Sequence, residues 1–158
     1  AIVGGLKQIV SREPAQVLAA LNRQLIDELS GGFVTCCAAL LHTSGRLTLA
    51  NAGHLPPYLN GKELAVDGAL PLGLMADAEF PVTHFDLAKG DRLTLLSDGI
   101  VEAQDEHGQL FGFSRVNEML RQLASAVALA TAAQSYGQED DITALMVEYT
   151  GVREAVPA

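Results

Sequence analysis

Tryptophan is absent, and three Tyr with five Phe bring the aromatic share to only 5% of 158 residues. A chain so poor in aromatic side chains offers little on which nucleic-acid bases could stack. Positive charge is scarce too: ten Lys and Arg stand against nineteen Asp and Glu, a net charge of −9. Such a surface repels polyanions, which argues against nucleic acid or anionic lipid as a partner bound by phosphate neutralisation. Cysteine is limited to the adjacent pair Cys36 and Cys37, whose side chains would point to opposite faces of a strand. The pair makes no disulfide framework and suits a reduced interior. The longest apolar runs, Val34–Leu41 and Ala126–Ala133, each hold one Thr. Both fall far short of the roughly 18 residues that cross a bilayer. No basic-then-apolar signal segment opens the chain, so the expectation is a cytoplasmic protein without direct membrane insertion.

What is present suffices for a folded core. Apolar residues make up 49% and charged residues 18%, a globular composition on the low side of the usual charge content of about 25%. The length fits one domain with a short tail, able to bury about 68–70% of its extended surface without metal or disulfide staples.

Apolar periodicity divides the chain into helices and strands. Ile2, Val3, Leu6, Ile9 and Val10 form a helical stripe with no capping residue before it, so the natural protein is expected to extend upstream. A second helix fits Pro14–Leu29, with Val17, Leu18, Leu21, Leu25 and Leu29 inward and Gly31-Gly32 as its stop. Phe33–Leu41 and Arg46–Ala50 read as a hairpin around His42-Thr43-Ser44-Gly45. Extended pieces follow at Pro57–Leu59, Lys62–Val66, Val82–Leu87 and Arg92–Ser97. Ser114–Ala124 is read as a helix capped by Ser114 with Val116, Leu120 and Leu123 inward, followed by an Ala-rich helix over Ala126–Ser135 ending at Gly137. Ile142–Tyr149 is the last strand and the remainder a tail. This order says α+β rather than a doubly wound parallel sheet.

Several catalytic signatures are missing: H-E-x-x-H, G-x-S-x-G, the Walker loop and G-x-G-x-x-G. A cysteine phosphatase would place Arg six residues after its Cys, where this chain has His42 and Thr43. Carboxylates at strand ends remain. Asp98 closes the apolar strand in Leu95-Leu96-Ser97-Asp98-Gly99, and Asp140-Asp141 open the last strand. If the two strands pair antiparallel, these carboxylates converge, and converging carboxylates persist where a hard cation neutralises them. Read on spacing alone, Asp-Gly is most often an ordinary turn and Asp-Asp often a solvated strand entry.

Four stretches in order sharpen this reading: Asn51-Ala52-Gly53-His54-Leu55-Pro56-Pro57; Leu70-Pro71-Leu72-Gly73-Leu74; Gly90-Asp91-Arg92-Leu93 through Ser97-Asp98-Gly99-Ile100-Val101-Glu102-Ala103, with Gly108 and Phe111-Gly112; and Glu139-Asp140-Asp141-Ile142-Thr143. Together they resemble the SpoIIE/RsbU branch of the metal-dependent Ser/Thr protein phosphatases (the protein phosphatase 2C-like, PPM superfamily), over about residues 1–149, with 150–158 a C-terminal tail. The resemblance implies an α-β-β-α sandwich of two stacked antiparallel sheets flanked by helix pairs, here lacking its N-terminal strands. It implies a two-metal site for Mn²⁺ or Mg²⁺ and hydrolysis of phosphoserine or phosphothreonine by a metal-activated water.

Carried over by motif, Asp98 and Asp140 match the family's metal-ligating and catalytic aspartates, and Asp141 is the less favoured ligand beside them. Gly99 then permits close backbone approach, while Asn51, Gly53, His54 and Gly73 are structural residues near the site, Asn51 fixing a turn through its side chain. Glu102 reads as an exposed carboxylate with a role behind the metal as the alternative, His107 and Gly108 as a loop tip, and Phe111 and Gly112 as packing and turn residues. The family's first metal Asp precedes its first helix and has no counterpart here, so the isolated chain is expected to be weak or inactive.

By analogy with the branch, the substrate is a phosphorylated STAS-type anti-sigma-factor antagonist and the upstream part of the parent a sensor domain. The first two helices would cover a sheet, or shift or form a homodimer through residues such as Leu25 and Leu29. The competing reading is a non-catalytic phosphatase-like interaction module.

Overall fold

The computed structural model describes residues 13–29, 31–137 and 140–151. The expected first helix, Ile2–Val10, lies outside the described residues, as does the tail from residue 152. The chain divides into two compact units, one taking in the chain up to His54 with Ala65–Ala88, the other Leu55–Leu64 with Lys89–Thr150.

The first unit opens with α1 (Pro14–Glu28), which has proline in its first turn, where the missing N–H costs no hydrogen bond. Leu18, Leu21 and Leu25 recur at helical spacing and bury against Ala50 and Ala52 of the sheet, with Leu72 and Phe80 closing the cluster. Burying each such leucine is worth about 1.5–3 kcal/mol. The sheet is built on β2 (Arg46–Ala52), which is buried at every position after Arg46. On one side it pairs antiparallel with β1 (Cys36–Leu41), Leu41 opposite Leu47 across the expected hairpin. On the other side β6 (Val82–Asp86) pairs antiparallel with Arg46–Ala50. There β5 (Gly68–Ala69) takes over in parallel at Asn51 and Ala52. That parallel junction departs from the all-antiparallel expectation; a glycine and one alanine are too short a stretch to show a periodic signal. Cys36 and Cys37 are both free and half-buried.

The second unit orders its sheet β4-β3-β7-β8, all antiparallel, from β3 (Tyr58–Leu59), β4 (Lys62–Glu63), β7 (Arg92–Leu96) and β8 (Ala144–Glu148). Three helices accompany it among the described residues: α2 (Asp98–Val101), α3 (Gly112–Arg121) and α4 (Ala126–Tyr136). Ile100, Val116, Leu129 and Ala133 are fully enclosed in its core with Tyr58 and Leu96. The Ser125 hydroxyl caps α4 by accepting from Ala128 N at 3.1 Å.

Two expectations in this unit need correction. Helix α3 starts at Gly112, two residues before Ser114, and no side chain caps it. Leu123 is not inward but 66% exposed. Its spacing from Leu120 continues the stripe, yet the helix ends at Arg121 and the chain reverses: Ala124 N donates to Met119 O at 3.0 Å while Leu123 adopts φ +59°. This helix-terminating geometry ordinarily takes glycine.

Candidate functional site

The pairing of β7 with β8 runs Arg92↔Glu148 to Leu96↔Ala144. It is extended one step by Ser97 N donating to Thr143 O at 2.9 Å. The Ser97 hydroxyl accepts from Thr143 N at 2.8 Å and donates to Asp141 O at 3.4 Å, tying the strand entry to the strand end. Asp98 is therefore delivered beside the Asp140-Asp141 segment by an antiparallel register.

Gly99 sets how close the two segments come. It is buried, and a side-chain carbon there would collide with the Asp141 carbonyl oxygen and lie 3.2 Å from its carbonyl carbon. The expected Asp-Gly turn is the start of α2, in which Glu102 N donates to Asp98 O at 2.9 Å. Asp98 occupies that first turn, where a carboxylate is favoured by the free N–H groups, and its Oδ1 accepts from Gly99 N at 3.1 Å. Asp140 Oδ1 likewise accepts from Asp141 N at 2.7 Å. The side chains of Asp98, Asp140 and Asp141 are all exposed.

Next to them is a cavity of about 190 Å³ lined by Gly99, Glu102, Ala103, Gln104 and Asp140. Glu102 is exposed, as expected, and shares this wall with Asp140. The available signal was its spacing: Glu102 is four residues after Asp98, which places both on one side of a helical turn.

Carboxylate oxygens are hard donors suited to Mg²⁺ or Mn²⁺. Asp98 and Asp140 each offer such oxygens, one of each engaged by a backbone N–H. Among the described residues no group of three or more His, Cys, Asp or Glu side chains is arranged to hold a cation.

Asn51, Gly53, His54 and Gly73 belong to the first unit, whereas the carboxylates belong to the second. Asn51 is buried and clasps the following turn, its Nδ2 donating to His54 O at 2.9 Å and its Oδ1 accepting from His54 N at 2.8 Å. His54 Nδ1 is 3.1 Å from Thr35 Oγ1. Gly53 packs on the Pro71 ring. Gly73 N donates to Asn22 Oδ1 at 2.8 Å. Asn22 was missed because the apolar stripe that marks this helix face gives no sign of a polar residue within it. It is 1% exposed and also donates to Met75 O and Ala76 O.

Residues 3–150 match the family model described as Stage II sporulation protein E (SpoIIE). The chain belongs to the SpoIIE family. Over 105 residues it is 32% identical to the phosphoserine phosphatase RsbU of Bacillus subtilis, covering 61% of this chain and 31% of that protein. It therefore spans about a third of the length of the curated relative it matches. Among solved structures, the RsbU and RsbW domains of Rv1364c from Mycobacterium tuberculosis superpose with TM-score 0.73 at 26% identity, over 95% of this chain and 46% of that one. The SiaA-PP2C domain of Pseudomonas aeruginosa gives 0.72 at 28%, over 94% and 65%. The fold of this SpoIIE domain is accordingly the mixed α and β, two-sheet fold of PP2C-type phosphatases. No helix among the described residues is long and apolar enough to cross a membrane.

Proposed function

We propose that this SpoIIE domain contributes Asp98 and Asp140 to a divalent-cation site that hydrolyses phosphoserine or phosphothreonine on a regulatory protein. The observation that carries the proposal is the approach of the two aspartate-bearing segments where the Ser97–Thr143 pairing ends and Gly99 packs on the Asp141 main chain. When bound, Mn²⁺ or Mg²⁺ supplies charge neutralisation at the phosphoryl group and acidifies water. The chain's own residues hold the ligands: Gly99 N orients Asp98, and Asp141 N orients Asp140. Ser97, the hydroxyl nearest in sequence, is engaged by Thr143 N and Asp141 O and serves as a strut rather than a nucleophile. Asp141 remains the less favoured ligand in this reading, its main chain packed against Gly99.

The similarity to RsbU, named a phosphoserine phosphatase, supports the reaction class. A relative that carries RsbU and RsbW domains supports a regulatory protein as substrate, here of the phosphorylated STAS type. A further aspartate and a sensor domain upstream belong to the same reading, as does low turnover by this chain alone.

The test measures Mn²⁺ binding by electron paramagnetic resonance and phosphate release from a serine-phosphorylated STAS-type protein. It uses the wild-type chain, Asp98→Asn, Asp140→Asn, and a form extended upstream by an Asp-bearing segment of the family. Mn²⁺-dependent release, strongest in the extended form and lost in both variants, is expected. Equal Mn²⁺ binding and release by wild type and variants would sink the proposal.

A further inference from the structure

The segment between Ala103 and Phe111 is a small hairpin held by a dense set of its own hydrogen bonds. Gln104 and Leu110 form an antiparallel bridge, and Phe111 N donates to Ala103 O at 2.7 Å. Inside the bend, Asp105 Oδ1 accepts from both His107 N and Gln109 N, at 2.9 and 2.8 Å. The other oxygen of Asp105 accepts from the Tyr136 hydroxyl at 3.4 Å. Arg115 closes the base: its Nη1 donates to Leu110 O and Phe111 O, both at 2.9 Å. Its guanidinium lies 4.7 Å from the Tyr136 ring centre. The Phe111 and Tyr136 rings meet edge to face at 5.4 Å. Every titratable group in this lock serves the loop's own shape, and none of it is used by the candidate site.

The hairpin joins two surfaces. Its first arm, Ala103 and Gln104, lines the cavity that Asp140 opens onto. Its second arm ends at a shallow groove of about 330 Å³ lined by Phe111, Ser114, Arg115, Glu118 and Met119. Leu110, 51% exposed, and Phe113, 47% exposed, are the large apolar side chains on this stretch. Arg115 is held by carbonyls and rings, and the groove presents Phe111 and Met119 beside one charge of each sign, Arg115 and Glu118.

We infer that this hairpin and the start of the following helix dock the protein that carries the phosphorylated residue, with the exposed Leu110 and Phe113 each meeting its apolar side chains. The inference rests on the phosphatase reading of the neighbouring cavity. Strands paired as Gln104 and Leu110 are lie about 5 Å apart, and an extended peptide advances about 3.3 Å per residue. A phosphoserine reaching the cavity therefore brings residues within about two or three positions of itself over Leu110. A preformed loop loses little conformational entropy on binding, which favours such a role.

The test compares wild type with the surface variants Leu110→Asp and Phe113→Asp, both at exposed positions, all in the upstream-extended form. Two substrates are used, a serine-phosphorylated STAS-type protein and para-nitrophenyl phosphate, with binding of the phosphoprotein followed by fluorescence anisotropy. The expected result is a roughly tenfold fall in the ratio of kcat/KM for phosphoprotein over aryl phosphate, carried by KM, with a matching loss in anisotropy-measured affinity. An unchanged ratio, or equal losses on both substrates, overturns the docking assignment. If no form hydrolyses either substrate, the phosphatase reading fails, and the anisotropy decides docking by itself: weaker binding by the variants supports it and equal binding refutes it. A wild-type dimer that both variants dissociate, read by light scattering, would assign the surface to a second copy of the chain and also overturn it.

Discussion

Gly99 lies directly on the main chain of Asp141, with no room between them for a methyl group. This contact sets the distance between the segment that presents Asp98 and the one that presents Asp140. Gly99→Ala should therefore do more than destabilise. Overpacking of this kind costs about 1–3 kcal/mol, and a chain of this size loses about 2–4 °C of melting temperature per kcal/mol. The expected outcome is a Tm lower by several degrees together with Mn²⁺ binding weakened at least about tenfold. A variant that melts lower but binds Mn²⁺ as wild type does would separate the packing of Gly99 from the assembly of the site.

Asn22 satisfies Gly73 N, Met75 O and Ala76 O from within the core of the first unit. Asn22→Leu keeps the volume but leaves these backbone groups without their partner. A loss of about 2–4 kcal/mol is expected, since each buried group left unsatisfied costs about 1–3 kcal/mol. Urea denaturation of the two proteins checks it, and a variant as stable as wild type would show that water replaces the amide.

Leu123 is 66% exposed and sits at φ +59°, which strains a residue bearing a side chain. Leu123→Gly removes the strain while giving up little buried surface. A gain of up to about 1 kcal/mol is expected, offset in part by the entropy glycine adds to the unfolded chain. Calorimetry would show a Tm equal to or slightly above wild type, whereas Leu123→Ala should give no such gain.

Burial raises the Cys36 thiol above its ordinary value, and burial with the neighbouring Cys36 pushes Cys37 up to about 11. At pH 8 the thiolate of Cys37 is scarce, so its alkylation by iodoacetamide should be at least about a hundredfold slower than that of a free cysteine. Because the unfolded chain releases these protons first, stability is intact below the ordinary cysteine pKa of about 9 and falls as pH rises toward 11. Burial raises Tyr58 as well, which adds to the same alkaline loss. Melting curves between pH 8 and 11 should show the decline, with a shallower slope in Cys37→Ala.

Helix α1 and the hairpin of β1 and β2 were legible because Leu18, Leu21 and Leu25 keep a helical period and His42–Gly45 interrupt two apolar runs. The chain reversal at Leu123 was not legible, since a leucine at helical spacing carries no mark of a positive φ. Strand β5 was invisible because Gly68 and Ala69 have no apolar pattern to display; their pairing depends on β2 being there. For the same reason Asn22 gave no sign of its three backbone partners, which lie more than fifty residues away along the chain.

By itself the sequence determined the composition of the candidate site and its family: Asp98 before a glycine, Asp140 before a strand, and the ordered motifs between. Those are local facts, written in side-chain identity and spacing. Which carboxylate-bearing segments lie side by side was decided only by the tertiary structure. The β7–β8 register and the Gly99–Asp141 contact bring residues forty-odd positions apart to one edge, and the fold of the intervening hairpin sets Gln104 and Glu102 beside Asp140. Hydrogen-bond register and steric approach are properties of two segments at once, so neither segment's sequence records them alone.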